Sequence, residues 1–247
     1  MGLGPLVFTR GELVEGPRVV FHIFDLPISI TVVTTWVIIA LVFIICKIGT
    51  KKLELIPSKR QLIFESIYNF LDSIIGQILG VWKDTYSSYI GGLFIFIFLS
   101  NIVSFFPIPW LKFGDNGVEV ITALRTPTAD LNTTVGLALI TTVTFIGTSI
   151  KFNGLSGYLK GFTSPNPVIT PLNIVGELAK PINISMRLFG NMFAGGVIMG
   201  IFYFFVPWVV PSLFHLYFDL VSGLVQSFVF VLLTMVYISG GLPAQEQ

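Results

Sequence analysis

The residues most suited to chemistry lie in the stretch INISMRLFGN, residues 182–191, where an arginine interrupts an apolar helical pattern. On insertion scales, Arg187 at the centre of a membrane helix costs about 2.5–3.5 kcal/mol, so it needs a polar partner or a wet cavity. Asn191 follows one helical turn later on the same face, and Glu177 lies ten residues upstream. A cation flanked by carboxylate and amide groups inside a membrane is typical of an ion pathway.

A second polar group lies on the last apolar stretch of the chain. Asp219 and Gln226 are seven residues apart and therefore stack on one helical face, with Ser222 nearby. In an antiparallel hairpin, Gln226 would come near Arg187. Asp219 would then lie towards the outer side, and Glu177 towards the cytoplasmic end. A buried acid beside a buried amide is equally explained as a structural hydrogen-bonded pair, and from the residues alone both interpretations stay open.

Four small residues follow the arginine at two four-residue spacings. Gly190 pairs with Ala194, and Gly196 with Gly200. Small residues allow a partner helix to approach the backbone closely. For the glycines alone, ordinary packing within a bundle is the better explanation. Beside a buried arginine, a smooth surface with one fixed cation suits a partner that slides past it.

The composition predicts an all-α polytopic membrane protein with a single membrane domain. Mean hydropathy is +0.86, and charged residues make up 11% of the chain, less than half of their usual share in soluble domains. A net charge of +1 argues against a nucleic-acid partner. The single cysteine, Cys46, excludes disulfide frameworks and thiolate metal sites. His22 and His215 are too far apart in sequence to indicate a metal site, so we expect no metal and no cofactor.

About five membrane helices are predicted, together with one interfacial amphipathic helix. An external segment at 1–27 precedes a first span at 28–50, and the basic residues that follow indicate the cytoplasmic side. Ser58 and Gln61 form a capping-box pattern. It opens a helix over 58–84 that is interrupted too often by polar residues to favour a span. A spanning helix with an inward polar stripe is the alternative.

The remaining chain is predicted to form two spans and a closing hairpin. Two spans joined by an external loop fill 89–150, and a long, tilted helical hairpin fills 169–238, which leaves the C-terminus in the cytoplasm. The first hairpin helix would run about 35 residues, or roughly 50 Å. It must therefore tilt steeply or be divided at Pro181.

The sequences INISMRLFGNMFAG and LVQSFVFVLLTMVYIS, with TPTADLNTT at 126–134, resemble subunit a of the F-type ATP synthases. The resemblance covers most of the chain. It implies a non-catalytic stator subunit in the membrane sector of a rotary complex in the bacterial inner membrane. Its partners would be the ring of c subunits, the b subunits of the peripheral stalk and the lipid bilayer, with no nucleotide bound by this chain. Two offset half-channels would lead ions to the ring.

By this resemblance, Arg187 matches the family's essential arginine, and Gln226 matches the glutamine that faces it. Asn191 matches the polar residue one turn on, and Glu177 an acid found in some members. One common bacterial pattern has an acid at the place of Gly196 and a histidine at that of Asp219, so here the outer acid has moved across the hairpin. Further candidates for channel-lining or structural polar residues are Ser222, Asp25, Asp130 and His215.

The transported ion and the class of protein each have an alternative. The resemblance allows protons or sodium, and we expect protons, with sodium as the alternative. A stand-alone transporter or channel would predict internal repeats and discontinuous helices, which the sequence does not show. A membrane scaffold would pair Arg187 internally. The hairpin motif favours the ATP synthase subunit over both.

Overall fold

The computed structural model describes residues 19–23, 26–50, 57–103, 110–114, 117–121, 126–164, 166–205 and 216–243. Within these ranges the chain is a helical bundle, as the composition predicts. A π-helical segment, Leu216–Ser222, leads directly into the last helix. The α-helices are α1 (Ile30–Gly49), α2 (Lys59–Leu79), α3 (Lys83–Ile102), α4 (Leu131–Thr163), α5 (Thr170–Phe205) and α6 (Gly223–Ser239).

Two short antiparallel β-hairpins accompany the helices, and the sequence analysis did not predict them. The first pairs β1 (Val19–Ile23) with β2 (Leu26–Ser29) just before α1. The second pairs β3 (Trp110–Gly114) with β4 (Gly117–Ile121) in the predicted external loop. The Asp-Asn-Gly sequence at 115–117 is a hairpin-turn signal that would have indicated the second one.

Four stretches of the described chain are long and apolar enough to cross a membrane. The helix α5 is not among them; Glu177, Lys180 and Arg187 lie within its apolar sequence. It is one continuous helix of 36 residues that includes Pro181, and is therefore about 54 Å long. Pro181 does not divide it. The four stretches are Ile30–Gly49, Gln61–Ile102, Leu131–Thr163 and Leu216–Ser239.

The helix α2 begins and ends at recognisable signals. Ser58 Oγ accepts a hydrogen bond from the backbone N–H of Gln61 at 3.4 Å, as the capping pattern predicts. At its C-terminal end, Gly80 takes a φ of 53°, a conformation that favours glycine. The turn is held by an ion pair between Lys83 Nζ and Asp72 Oδ2 at 2.8 Å. The interfacial location of α2 stays a prediction.

The helix α4 is longer than the predicted span and is tied to α1. It continues to Thr163, with a kink at Gly154 where φ is 70°. Its N-cap is Asp130, whose Oδ1 accepts a hydrogen bond from the backbone N–H of Asn132 at 3.0 Å. Asp130 Oδ2 also accepts a hydrogen bond from the Thr31 hydroxyl at 2.8 Å. Asp130 therefore has a structural role at the junction of two helices.

The core lies between α3 and α6, with α2, α4 and α5 packed around them. Many large apolar side chains remain on the outside of the bundle, which suits lipid or a membrane partner rather than water. Examples on α1 are Trp36, Ile39 and Phe43. Fully buried core side chains include Ile90, Ile97, Leu188, Phe230, Met235 and Ile238.

A buried asparagine, which the sequence analysis missed, ties three elements together. Asn101 on α3 is 1% exposed. Its Nδ2 donates to the backbone oxygen of Gly223 at 3.0 Å and to Ser227 Oγ at 3.1 Å. Its Oδ1 accepts a hydrogen bond from the hydroxyl of Thr128, within the 126–134 motif. Because a buried amide left without partners is costly, this network fixes α6 against α3.

The close contact at Gly223 gives a stability prediction. A Cβ added there would lie 2.9 Å from Asn101 Cβ, so Gly223→Ala must displace the amide and its hydrogen bonds. We expect a loss of about 1–3 kcal/mol, typical of overpacking, measured by thermal unfolding of the detergent-solubilised chain. The control is Gly147→Ala, where an added Cβ meets nothing within 4 Å. Equal stability of the two variants would contradict this account of the junction.

Candidate functional site

The helices α5 and α6 form an antiparallel hairpin, and two contacts fix its register. Asn191 Nδ2 donates to Ser222 Oγ at 2.8 Å. Nearer the other end, Lys180 Nζ lies 5.4 Å from the ring centroid of Tyr237. Arg187 lies one turn before Asn191 on α5, and Gln226 lies one turn after Ser222. Because the two helices are antiparallel, Arg187 and Gln226 lie at the same level of the hairpin.

Arg187 and Gln226 are level with each other, yet their side chains face different surroundings. Arg187 is exposed, and within the described residues it makes no hydrogen bond or ion pair. Gln226 is only 7% exposed, and its Nε2 finds no hydrogen-bond partner in the described part of the chain. The structure therefore does not join the two by a hydrogen bond.

Both side chains can bind a polar partner supplied from elsewhere. A guanidinium carries five N–H donors in a planar fork that matches a carboxylate. A buried amide donor without a partner costs about 1–3 kcal/mol, so a water or an ion at Gln226 would be favourable. In a membrane, an arginine on the outer surface of its own chain needs its partner from a neighbouring chain or from water.

The surface around Arg187 is smooth. At 100° per residue, Gly190 and Ala194 lie within about 60° of the arginine around the helix axis. A Cβ added to Gly190 meets nothing within 4 Å, and Ala194 is exposed, as is Asn183 one turn before the arginine. We call the surface formed by Asn183, Arg187, Gly190 and Ala194 the open face of α5.

The second pair of small residues does not belong to the open face. Gly196 is nine residues beyond Arg187, which is half a turn away around the helix, although an added Cβ there also meets nothing within 4 Å. Gly200, four residues on, lies within α5 on a similar side. Gly195, which the sequence analysis did not single out, is the close-packed position, since its Cβ would lie 3.2 Å from the ring of Phe218.

The carboxylate of Glu177 is paired rather than free. Its Oε2 lies 2.6 Å from Lys180 Nζ, and its Oε1 accepts a hydrogen bond of 3.4 Å from the hydroxyl of Tyr158 on α4. The same ammonium lies 5.1 Å from the ring centroid of Phe145 on α4. Acidic and basic residues three apart on a helix are neighbours, so their spacing could have predicted this pair.

The other candidate residues are placed only in part. Asp219 lies in the π-helical segment before Ser222, beyond the Asn191 contact as seen from Gln226. Asp25 and His215 lie outside the described residues. Asp130 caps α4 and does not belong to the hairpin. Within the ranges described, no group of three or more His, Cys, Asp or Glu side chains is placed to hold a metal ion.

Comparison with known proteins gives one consistent family. The model of the ATP synthase A chain family matches residues 32–239. The sodium-ion-specific ATP synthase subunit a of Propionigenium modestum is 48% identical over 99% of this chain and 91% of that protein. Two further relatives are each 34% identical and are both called ATP synthase subunit a. The protein of Moorella thermoacetica aligns over 90% of this chain and 95% of its own length. The protein of Limosilactobacillus reuteri aligns over 91% of this chain and 97% of its own length.

The register of the hairpin can be tested by cross-linking. With Cys46 replaced by serine, the double variant Asn191→Cys with Ser222→Cys places two thiols where the polar atoms are 2.8 Å apart. We expect a short bifunctional thiol reagent to join them, detected as a change in electrophoretic mobility after the chain is cleaved between the two positions. Cysteines in place of Asn191 and Val229 are offset by about 10 Å along the axis and should not react. Equal yields from both pairs would refute the register.

Proposed function

We propose, from the fact that this chain belongs to the ATP synthase A chain family, that it is the ion-translocating stator subunit of the membrane sector. It is a multi-pass membrane protein of that assembly. The chain itself performs no catalysis and binds no nucleotide or cofactor. Its task is to lead cations through two offset half-channels to and from a rotating ring of c subunits.

The observation that carries this proposal is the unpaired guanidinium on the open face of α5. Arg187 is exposed and has no ionic partner among the described residues, while Gly190 beside it leaves room for a neighbouring helix. A scaffold with Arg187 paired internally would look different, and a stand-alone channel would direct the arginine into its own pore. An outward arginine on a smooth surface fits a partner that moves past.

The chemistry follows from the cost of charge in lipid. A ring carboxyl that has bound its cation is neutral and can pass through lipid, whereas a bare carboxylate needs a polar site. Arg187 supplies that site at the interface and repels a cation that would otherwise leak directly from one half-channel to the other. Because the direct route is closed, ions can cross only if the ring turns. Each unit charge that crosses the membrane releases about 2.3 kcal/mol per 100 mV.

The two half-channels would begin from opposite ends of the hairpin. Glu177 lies roughly 15 Å along α5 from Arg187, towards the proposed cytoplasmic end, and Asp219 lies beyond the Asn191–Ser222 contact, towards the proposed outer side. Gln226 at the level of the arginine offers a buried amide for a hydrated ion or a ring carboxyl. Asn191 and Ser222 hold the two helices together between these points.

Sodium is the cation that we propose for this chain, in place of the expected proton. The support is the relative of 48% identity, whose name states sodium specificity. The proposed location is the bacterial inner membrane, with the N-terminus outside and the C-terminus in the cytoplasm. The exposed apolar sides of α1 and α2 are the surfaces we assign to lipid and to the b subunits of the peripheral stalk.

Removal of the guanidinium tests the proposed function. In vesicles containing the whole complex, Arg187→Ala should abolish ATP-driven cation uptake, with a fall of at least about tenfold, because the ring carboxylate loses its ionic partner. Passive cation leak through the membrane sector should rise, because the repulsive barrier is gone. Both are measured on the same vesicles with radioactive sodium and a pH-sensitive dye.

Two controls accompany this assay. The variant Lys83→Met, which removes a cation that joins α2 to α3 rather than a cation of the hairpin, should pump normally. In the unaltered complex, ATP-driven sodium uptake that persists with a protonophore would identify sodium as the transported cation. ATP-driven proton uptake that the protonophore abolishes, without sodium uptake, would identify the proton. Normal pumping by Arg187→Ala would refute the role of the open face and leave Arg187 as a structural residue.

A further inference from the structure

One lysine in the hairpin has no place in the function proposed so far. Lys180 lies between α4, α5 and α6, and its ammonium faces three groups at once. It pairs with Glu177 Oε2 at 2.6 Å, and lies 5.1 Å from the centroid of Phe145 and 5.4 Å from that of Tyr237. The two rings are themselves in contact, with centroids 5.7 Å apart.

The arrangement offers the ammonium a second set of partners beside Glu177. A lysine ammonium is a point charge on a flexible stem with rotatable donors, so it can leave one partner without moving the backbone. The faces of Phe145 and Tyr237 attract a cation at these distances and can receive the ammonium when it leaves Glu177. The ion pair is only partly buried, with the Lys180 side chain 31% and the Glu177 side chain 20% exposed. The Lys180 ammonium therefore leaves Glu177 more readily than it would leave the partner of a fully buried ion pair.

We propose that Lys180 is a built-in competitor for the transported cation at Glu177. This inference rests on the proposed function, in which cations reach the ring past Glu177. Between transport events the ammonium occupies the carboxylate. An arriving sodium ion displaces it onto the rings of Phe145 and Tyr237, and its return helps to release the cation. No bond is made or broken; the carboxylate exchanges one cation for another.

Competition of this kind sets the affinity of the half-channel for the transported cation. It does not decide whether the half-channel exists. Without Lys180, Glu177 would hold the cation more tightly and at lower concentration. The other polar group beside the carboxylate is Tyr158, whose hydroxyl donates a hydrogen bond to it at 3.4 Å. Tyr158 carries no positive charge that could replace the ammonium, so the occupancy of Glu177 is decided by the ammonium and the arriving cation.

The variant Lys180→Met tests this in the whole complex. ATP-driven uptake by inverted vesicles is titrated with sodium in the medium that contains the ATP, the side on which we place Glu177. We expect the half-saturating sodium concentration to fall by roughly twofold to fivefold, the size of a partly exposed ion pair. When sodium inside the vesicles drives ATP synthesis, the ion enters by the other half-channel. The half-saturating sodium concentration for ATP synthesis should therefore not change. A merely structural role would not give this asymmetry.

A second variant predicts the opposite sign. Tyr237→Leu removes one of the two rings that receive the ammonium, so Lys180 should stay on Glu177 and the half-saturating concentration should rise by about twofold to fivefold. This variant also decides the matter if Lys180→Met fails to assemble.

The matched control is Lys83→Met, which removes an ion pair of similar geometry and exposure. Lys83 Nζ lies 2.8 Å from Asp72 Oδ2, with the side chains 38% and 22% exposed, but the pair joins α2 to α3 outside the hairpin. It should leave the titration unchanged. If Lys180→Met and Tyr237→Leu both kept coupled transport and both left the half-saturating concentration unchanged, the inference would be overturned. Coupled transport by Arg187→Ala would instead overturn the proposed function itself.

Discussion

The proposed function depends on one positive charge within an apolar helix, the guanidinium of Arg187, which has no ionic partner among the described residues. A guanidinium cannot lose its proton at any working pH, and in a membrane it cannot be left without a polar partner. By contrast, Lys180 is ion-paired with Glu177 and Lys83 with Asp72. Arg187 is left open on the outside of the bundle. No described residue of the chain supplies its ionic partner, and the proposed function assigns that role to a carboxylate of the ring.

The rest of the bundle holds that charge in position. The hairpin register is set by the Asn191–Ser222 hydrogen bond, and α6 is fixed against α3 by the buried amide of Asn101. Asp130 joins the start of α4 to α1. Asn101 is buried within the bundle, and Asn191, one turn on from Arg187, donates to Ser222 of the same chain rather than to an outside partner. A partner can then slide over α5 while these hydrogen bonds keep Arg187 at its level.

Much of this was readable from the sequence, because membrane helices are recognised by long apolar runs and an arginine within one stands out. The cap at Ser58, the hairpin of α5 and α6, and the level of Arg187 with Gln226 follow from helical periodicity. The outward direction of Arg187 and the burial of Gln226 could not be predicted, because they depend on which faces α3 and α4 cover. Asn101 was missed because a single asparagine in an apolar run carries no signal until its partners on distant elements are known. The half-turn separation of Gly196 from Arg187 becomes visible only when their nine-residue spacing is converted into an angle around the helix axis.

The most direct test of the central claim asks what lies opposite the open face. A photoreactive phenylalanine analogue in place of Ala194 should, on illumination of the whole complex, form an adduct with a c subunit and stop ATP-driven transport. The same analogue at Phe43, an exposed position on α1, should label lipid or the peripheral stalk and leave the ring unmodified. Ring adducts from Ala194 alone are the predicted result. Failure of Ala194 to label the ring, or equal labelling from Phe43, would contradict the assignment of the open face to a moving partner.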